Sequence, residues 1–335
     1  MINFSRLVLC ALMLSFLSTS VMAQEPLDLA DLVAQVERSV VNIAVISGPP
    51  AEGKSIEPKS IASGFFIRSD GFLVTTESLL EKNEASYIVT VGKTKLSARL
   101  VGKDKATHIA VLKVESEGWQ AVKPADMSKV RTGQRVLMVG SALGGMNTAA
   151  DGIVSHFGRP FPIQDALPLM SLSVPTYPGD GGAPIFNMRG EVLGMVSVVL
   201  GPKKDSPYSA LTFATPMDVV LSAASSIIEH GRVVRGVIHI GTQEVTEELA
   251  RLFGLNGKPR GALVTNVGTD GPADRAGVKL GDIILEFDRK PVAHALEIRE
   301  FVAAETPGRK VPVIIFRNGK PIELSIEIEE LENDQ

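Results

Sequence analysis

One cysteine, Cys10, is all the thiol chemistry in this chain of 335 residues. A disulfide-stapled scaffold is therefore excluded, and the fold has to be held by its core alone. A charge excess of one sign is missing too: 34 Lys and Arg stand against 38 Asp and Glu, for a net −4. No basic run interleaved with aromatics marks a nucleic-acid face, so no nucleic-acid partner is expected. A long hydrophobic run is also absent. The most apolar stretch, Leu7 to about Leu17, is about half of the roughly 20 residues that span a bilayer, and Ser18-Thr19-Ser20 interrupts it. With Arg6 before it and Val21-Met22-Ala23 after it, the stretch reads as a secretory signal peptide cleaved after Ala23; an uncleaved anchor is the alternative. Cys10 lies inside that segment without the small residues that precede a lipidated cysteine. The processed chain would then carry no cysteine and would lie in the periplasm or be secreted.

What is present after residue 39 is a series of short β-type runs. Val40–Ile46, Gly64–Ile67, Phe72–Thr75, Tyr87–Val91, Ile109–Val114, Arg135–Val139, Met170–Val174, Ala183–Phe186 and Val192–Val199 are rich in valine, isoleucine and phenylalanine. Turn clusters such as Ser69-Asp70-Gly71 and Met188-Arg189-Gly190 separate them. Many short strands without long helices between them point to a barrel or sandwich. Met217–His230 has helical apolar spacing and stops at Gly231. Residues 235–328 change pattern: a strand at Val237–Ile240, a helix near Thr246–Phe253, a strand at Ala262–Val267, a helix at His294–Ala304, and a hairpin turning at Asn318-Gly319.

Several motifs carry a more specific resemblance. Ser63-Gly64-Phe65-Phe66-Ile67, Asp70 to Thr76 (DGFLVTT), Asp104 to Val114 (DKATHIAVLKV), Val139 to Gly144 (VGSALG), Asp151-Gly152-Ile153-Val154-Ser155 and Pro184 to Gly194 occur in the order and at about the spacing of the HtrA family of serine proteases. The run Ala276-Gly277-Val278 to Leu285 (AGVKLGDIIL) resembles the mark of the family's PDZ domain. The fold this implies is mainly β: a trypsin-like double β-barrel of two six-stranded barrels, followed by one PDZ domain of α+β type. The implied layout is a signal peptide over 1–23, the barrel domain over 24–234, the PDZ domain over 235–328 and an acidic tail over 329–335.

Carried over position by position, the resemblance puts Ser78 in the family's histidine slot, His108 in its aspartate slot and Gly181 in its serine slot. A glycine has no side-chain atom to attack a carbonyl. No catalytic residue is then expected, and Gly179, Asp180 and Gly181 are left as the remnant of an oxyanion hole whose donors are backbone N–H groups. The resulting expectation is a non-enzymatic cell-envelope protein that binds polypeptides or partner subunits as scaffold, holder or regulator. Two alternatives stand beside it: a serine-type endopeptidase with rearranged catalytic groups drawn from Ser78 and His108, and a structural or ion-binding component, with His108, Glu77 and Asp180 as conceivable ligands. No cofactor and no metal are expected.

The PDZ resemblance implies capture of polypeptides with free C-termini by strand addition, with Val237, Ile238, His239 and Ile240 forming the carboxylate loop. Relatives usually have glycine at the position of His239, and the bulkier residue restricts the conformation that loop needs. An assembly module is the alternative. The resemblance also implies a homotrimer, or a mixed trimer with active HtrA-type proteases.

Overall fold

The structure, a computed structural model, describes residues 28–47, 58, 60–79, 85–144, 146–157, 169–200, 211–255 and 259–331. The expected signal peptide over 1–23 and its expected cleavage after Ala23 lie outside these residues. The chain folds as two compact units, one of which ends at Val220 while the other runs on from Leu221 and also takes in 100–105 and 109–111.

A short helix, α1 (Leu29–Val36), opens the first unit; the Asp28 carboxylate accepts from Ala30 N and caps it. Six strands follow: β1 (Val40–Ser47), β2 (Ser60–Phe66), β3 (Phe72–Thr76), β4 (Ala85–Val91), β5 (Thr94–Asp104) and β6 (Ile109–Val114). They close a barrel in the order β1-β2-β3-β6-β5-β4. Its logic is visible in β1, where Val41, Ile43 and Val45 are buried while Asn42, Ala44 and Ile46 between them are half-buried. That period of two lines one face with branched side chains. Trp119 packs on this barrel by stacking on Phe66, ring centres 4.8 Å apart.

The second barrel uses β7 (Lys123–Pro124), β8 (Arg135–Gly140), β9 (Thr148–His156), β10 (Met170–Leu172), β11 (Pro184–Asn187), β12 (Glu191–Leu200) and β13 (Leu211–Pro216). Six of them run β11-β8-β9-β10-β13-β12, and pairing of β11 with β12 closes the ring; β7 adds a parallel edge to β12. Val136, Met138, Val154, Met170, Ile185, Leu193 and Val196 fill its interior. Helix α2 (Met217–His230) follows as the sequence predicts.

The last sheet comprises β15 (Ile240–Glu244), β16 (Ala262–Val267), β17 (Ile283–Phe287), β19 (Lys310–Arg317) and β20 (Lys320–Glu327), with β18 (Lys290–Pro291) paired to β17. Two further short strands, β14 (Gly236–Val237) and β21 (Glu329–Glu330), pair with each other. The first residues of the expected acidic tail are thus hydrogen-bonded structure. Helices α3 (Glu247–Phe253), α4 (Pro272–Arg275) and α5 (Ala295–Ala303) complete the unit, Thr246 capping α3 through Leu249 N. Ile238, Val264, Ile284, Phe287, Val302, Val313 and Ile326 belong to its core. Asp282 is 1% exposed, yet both its oxygens are occupied: Arg317 donates Nε to one at 2.6 Å and Nη2 to the other at 2.7 Å, and Lys279 N adds a bond at 2.8 Å.

Candidate active site and peptide-binding edge

The loop Pro178 to Pro184 is held from both flanks. Ser63 Oγ on β2 donates to Gly179 O at 2.8 Å and accepts from Ser141 N at 2.7 Å, while Ser63 N donates to Gly181 O at 2.9 Å. Thr75 Oγ1 donates to Ser63 O at 2.7 Å. Pro178 O accepts from Leu143 N and Asp180 O from Ala183 N. A peptide N–H points opposite to the carbonyl before it, so these last two bonds turn the N–H groups of Gly179 and Gly181 away from the protein frame. Among the described residues neither N–H donates a hydrogen bond. Two unused donors in a clamped loop are the makings of an oxyanion site. Ser63 is central to this and was not a sequence candidate; its one proton is committed to Gly179 O, which removes it as a nucleophile.

Asp180 faces inward. It is fully buried, its Oδ2 accepts from Tyr177 N at 2.8 Å, and its Oδ1 has no partner, as is also true of the nearby buried Ser141 Oγ. Burial pushes its carboxyl above the ordinary aspartate range, and the Tyr177 N–H pulls it only partly back. Of the three remnant residues, then, Gly179 and Gly181 present donors and Asp180 is structural.

Gly182 needs its glycine: φ is +86°, and a Cβ there would stand 2.1 Å from Ser63 O. Gly181 does not. Its backbone lies outside the left-handed region, and an added Cβ would meet only Thr76, with Cγ2 at 3.2 Å. Thr76 ends β3, is 4% exposed, and pairs its Oγ1 with Ser78 Oγ at 3.0 Å. Ser78 is exposed. A hydroxyl pair therefore borders the point from which a nucleophilic side chain would branch. His108, at φ 58° in the turn before β6, is brought to this segment through its carbonyl, which accepts from Glu77 N at 3.0 Å. Ser78, His108 and Gly181 are thus associated through Thr76 and Glu77. Among the described residues no three His, Cys, Asp or Glu side chains converge as metal ligands, so His108, Glu77 and Asp180 do not assemble as a set.

At the other candidate site, Val237–Ile240 is not one strand. Val237 ends β14, His239 turns the chain at φ 54°, and Ile240 begins β15. A β-branched run reads as a strand, but one left-handed residue breaks it. Ile238 O accepts from Ala273 N and His239 O from Gly268 N, so both carbonyls point to the same segment. The N–H groups of His239 and Ile240 therefore point the other way. The Gly268–His239 bond also makes Ile240 and Val267 a non-hydrogen-bonded pair of the ladder, which leaves Ile240 N–H on the open side of β15. Strand β15 is the edge of its sheet, and α5 packs beside it. Glu244, at the far end of β15, accepts from Ala295 N at 3.0 Å.

Comparison with known proteins agrees with this architecture. Residues 62–195 match the trypsin-like peptidase domain and residues 236–328 match the PDZ domain. A probable periplasmic serine endoprotease, DegP-like, of Pseudomonas putida is 35% identical over 285 residues, covering 85% of this chain and 59% of its own length. A protein of the same name from Marinomonas sp. is 35% identical over 286 residues, covering 85% and 60%. The chain therefore spans about three fifths of the curated relatives it matches. Among solved structures, the HtrA-type protease AlgW with tripeptide superposes with a TM-score of 0.79 at 28% identity, over 91% of this chain and 98% of that one. These relatives correct the reading of the chain as a non-enzymatic scaffold: proteins that match most of it are named as serine endoproteases, and the unused N–H donors of Gly179 and Gly181 agree with the enzymatic alternative. With both barrels and the one PDZ domain in place, the chain shares the fold and the domain order of the HtrA-type proteases: a trypsin-like peptidase domain followed by one PDZ domain.

Proposed function

We propose that this protein is a serine-type endopeptidase of the periplasm that works with rearranged catalytic groups. The observation that carries the reading is the hydroxyl pair Thr76–Ser78 beside Gly181, next to a loop that presents two uncommitted N–H donors. Ser78 is the exposed member and serves as nucleophile; Thr76, buried, orients it. His108 is the base.

In this scheme Ser78 Oγ attacks the scissile carbonyl as its proton passes to His108. The carbonyl oxygen gains charge facing the N–H groups of Gly179 and Gly181. Collapse breaks the C–N bond, and His108 returns the proton to the departing amine. Water then hydrolyses the acyl-enzyme by the same steps, regenerating Ser78. The open edge of β15, with the turned N–H groups of His239 and Ile240, takes polypeptides by their free C-termini. Periplasmic placement is supported by the names of the relatives.

A fluorophosphonate probe tests the nucleophile directly. After labelling of the purified chain and peptide mass mapping, the adduct is expected on Ser78 and is expected to vanish in Ser78→Ala. An unlabelled wild-type chain, or an adduct on another residue, contradicts the assignment.

A further inference from the structure

His239 is tied to a charged cluster that the peptide-binding role does not require. Its Nε2 lies 3.8 Å from Glu329 Oε2 on β21, and the other oxygen of Glu329 is paired with Arg275 of α4. Arg275 also donates to Asp270 O, while Asp274 Oδ2 is spent on Asp270 N at 3.0 Å. The neighbouring turn makes room for this arrangement. A Cβ at Gly268 or at Gly271 would stand 3.0 Å from His239 Cβ, so side chains at either position would displace the histidine. His239 also pays for its left-handed φ of 54°, a conformation that a glycine would adopt without strain. A strained residue whose Cβ lies against two glycines, with its half-exposed imidazole facing a carboxylate, suggests a use for that imidazole.

We propose that His239 makes capture of a peptide C-terminal carboxylate stronger in acid, through its charge and through its contact with Glu329. The proposal rests on the reading of the β15 edge as a peptide site. Two effects act in the same direction. A protonated imidazole adds positive charge to the very residue whose N–H faces the carboxylate. It also completes the ion pair with Glu329, which fixes the turn at 238–240 and offsets a negative charge close to the incoming one. When the imidazole is neutral, Arg275 alone faces Glu329, and the loop carries one positive charge fewer. The groups that face His239 are Glu329 from β21 and Arg275 from α4; Asp270 and Asp274 lie in the adjoining turn. His239 is a positioning residue here, since its side chain acts on the loop and on the local field.

The test uses the full chain and fluorescent peptides that end in an apolar residue, one as the free acid and one amidated, with affinity read by anisotropy at pH 5.5 and pH 8.0. The expected result is a free-acid affinity about three- to tenfold higher at pH 5.5, the size of a single added charge acting across a partly solvated gap. In His239→Gln and His239→Gly that ratio falls to about one, and the glycine variant, freed of the backbone strain, controls for a turn that misfolds. Glu329→Gln weakens the ratio. The amidated peptide binds poorly at both pH values. An acid ratio that persists without the imidazole, or that is equal for the amidated peptide, overturns this inference alone. Absence of binding by either peptide at either pH overturns the peptide-site reading and the inference together.

Discussion

Gly181 and Asp180 are neighbours in one loop, and opposite physical constraints hold them there. At Gly181 the backbone demands nothing of glycine, so its lack of a side chain is a chemical fact that Thr76 and Ser78 have to answer. At Asp180 the side chain is present and buried, with one oxygen unpartnered, and this has a measurable consequence. Because the native carboxyl is shifted upward, the unfolded chain ionises first, near pH 3.9. Stability is therefore lost as pH rises from there to the native value, and above it the full cost of a buried charge remains. Asp180→Asn removes that cost. Its melting temperature is expected to exceed that of the wild type by a few degrees at pH 7, with the difference shrinking toward zero by about pH 4. A difference that is constant across this range would show that Asp180 is not titrating in its buried site.

At the scale of elements, the pairing of Asp282 with Arg317 ties the start of β17 to the end of β19. With Asp282 1% exposed, loss of either partner strands a charge in the core, which costs about 3–5 kcal/mol. Asp282→Asn is the milder change and Arg317→Ala the harsher. Chemical denaturation is expected to show both destabilised, the second by several kcal/mol; an unchanged midpoint in Arg317→Ala would mean that the pair contributes nothing net. This pair also indicates what a sequence can reveal. The Gly281-Asp282 motif was readable as a family mark, but its partner 35 residues away was not. Strands β1, β3 and β6 were legible because apolar residues fill them, whereas β5 and β9 escaped notice because each fully buries only one of its side chains. Ser63 escaped for a related reason: its role depends on Gly179, 116 residues away, and no local pattern marks that. The bend at His239 was hidden by the branched residues around it, which favour a strand until one residue adopts a left-handed φ.

At the scale of the whole molecule, composition and motif order point to an architecture of two barrels and a PDZ domain, and the fold has it. They did not fix the activity. A glycine at position 181 argues for an inert chain only if no hydroxyl nearby can serve, and proximity of hydroxyls to a loop is a three-dimensional property. The most direct measurement is the initial rate at which the purified full chain cleaves an unfolded, fluorescently labelled casein, compared with Ser78→Ala under the same conditions. Turnover by the wild type, reduced about a hundredfold or more in the variant, is the expected result, since removal of a nucleophile abolishes the covalent route and leaves only what binding and the oxyanion donors supply. No cleavage by the wild type, or equal cleavage by both proteins, would contradict the proposal that Ser78 beside Gly181 makes this chain an endopeptidase.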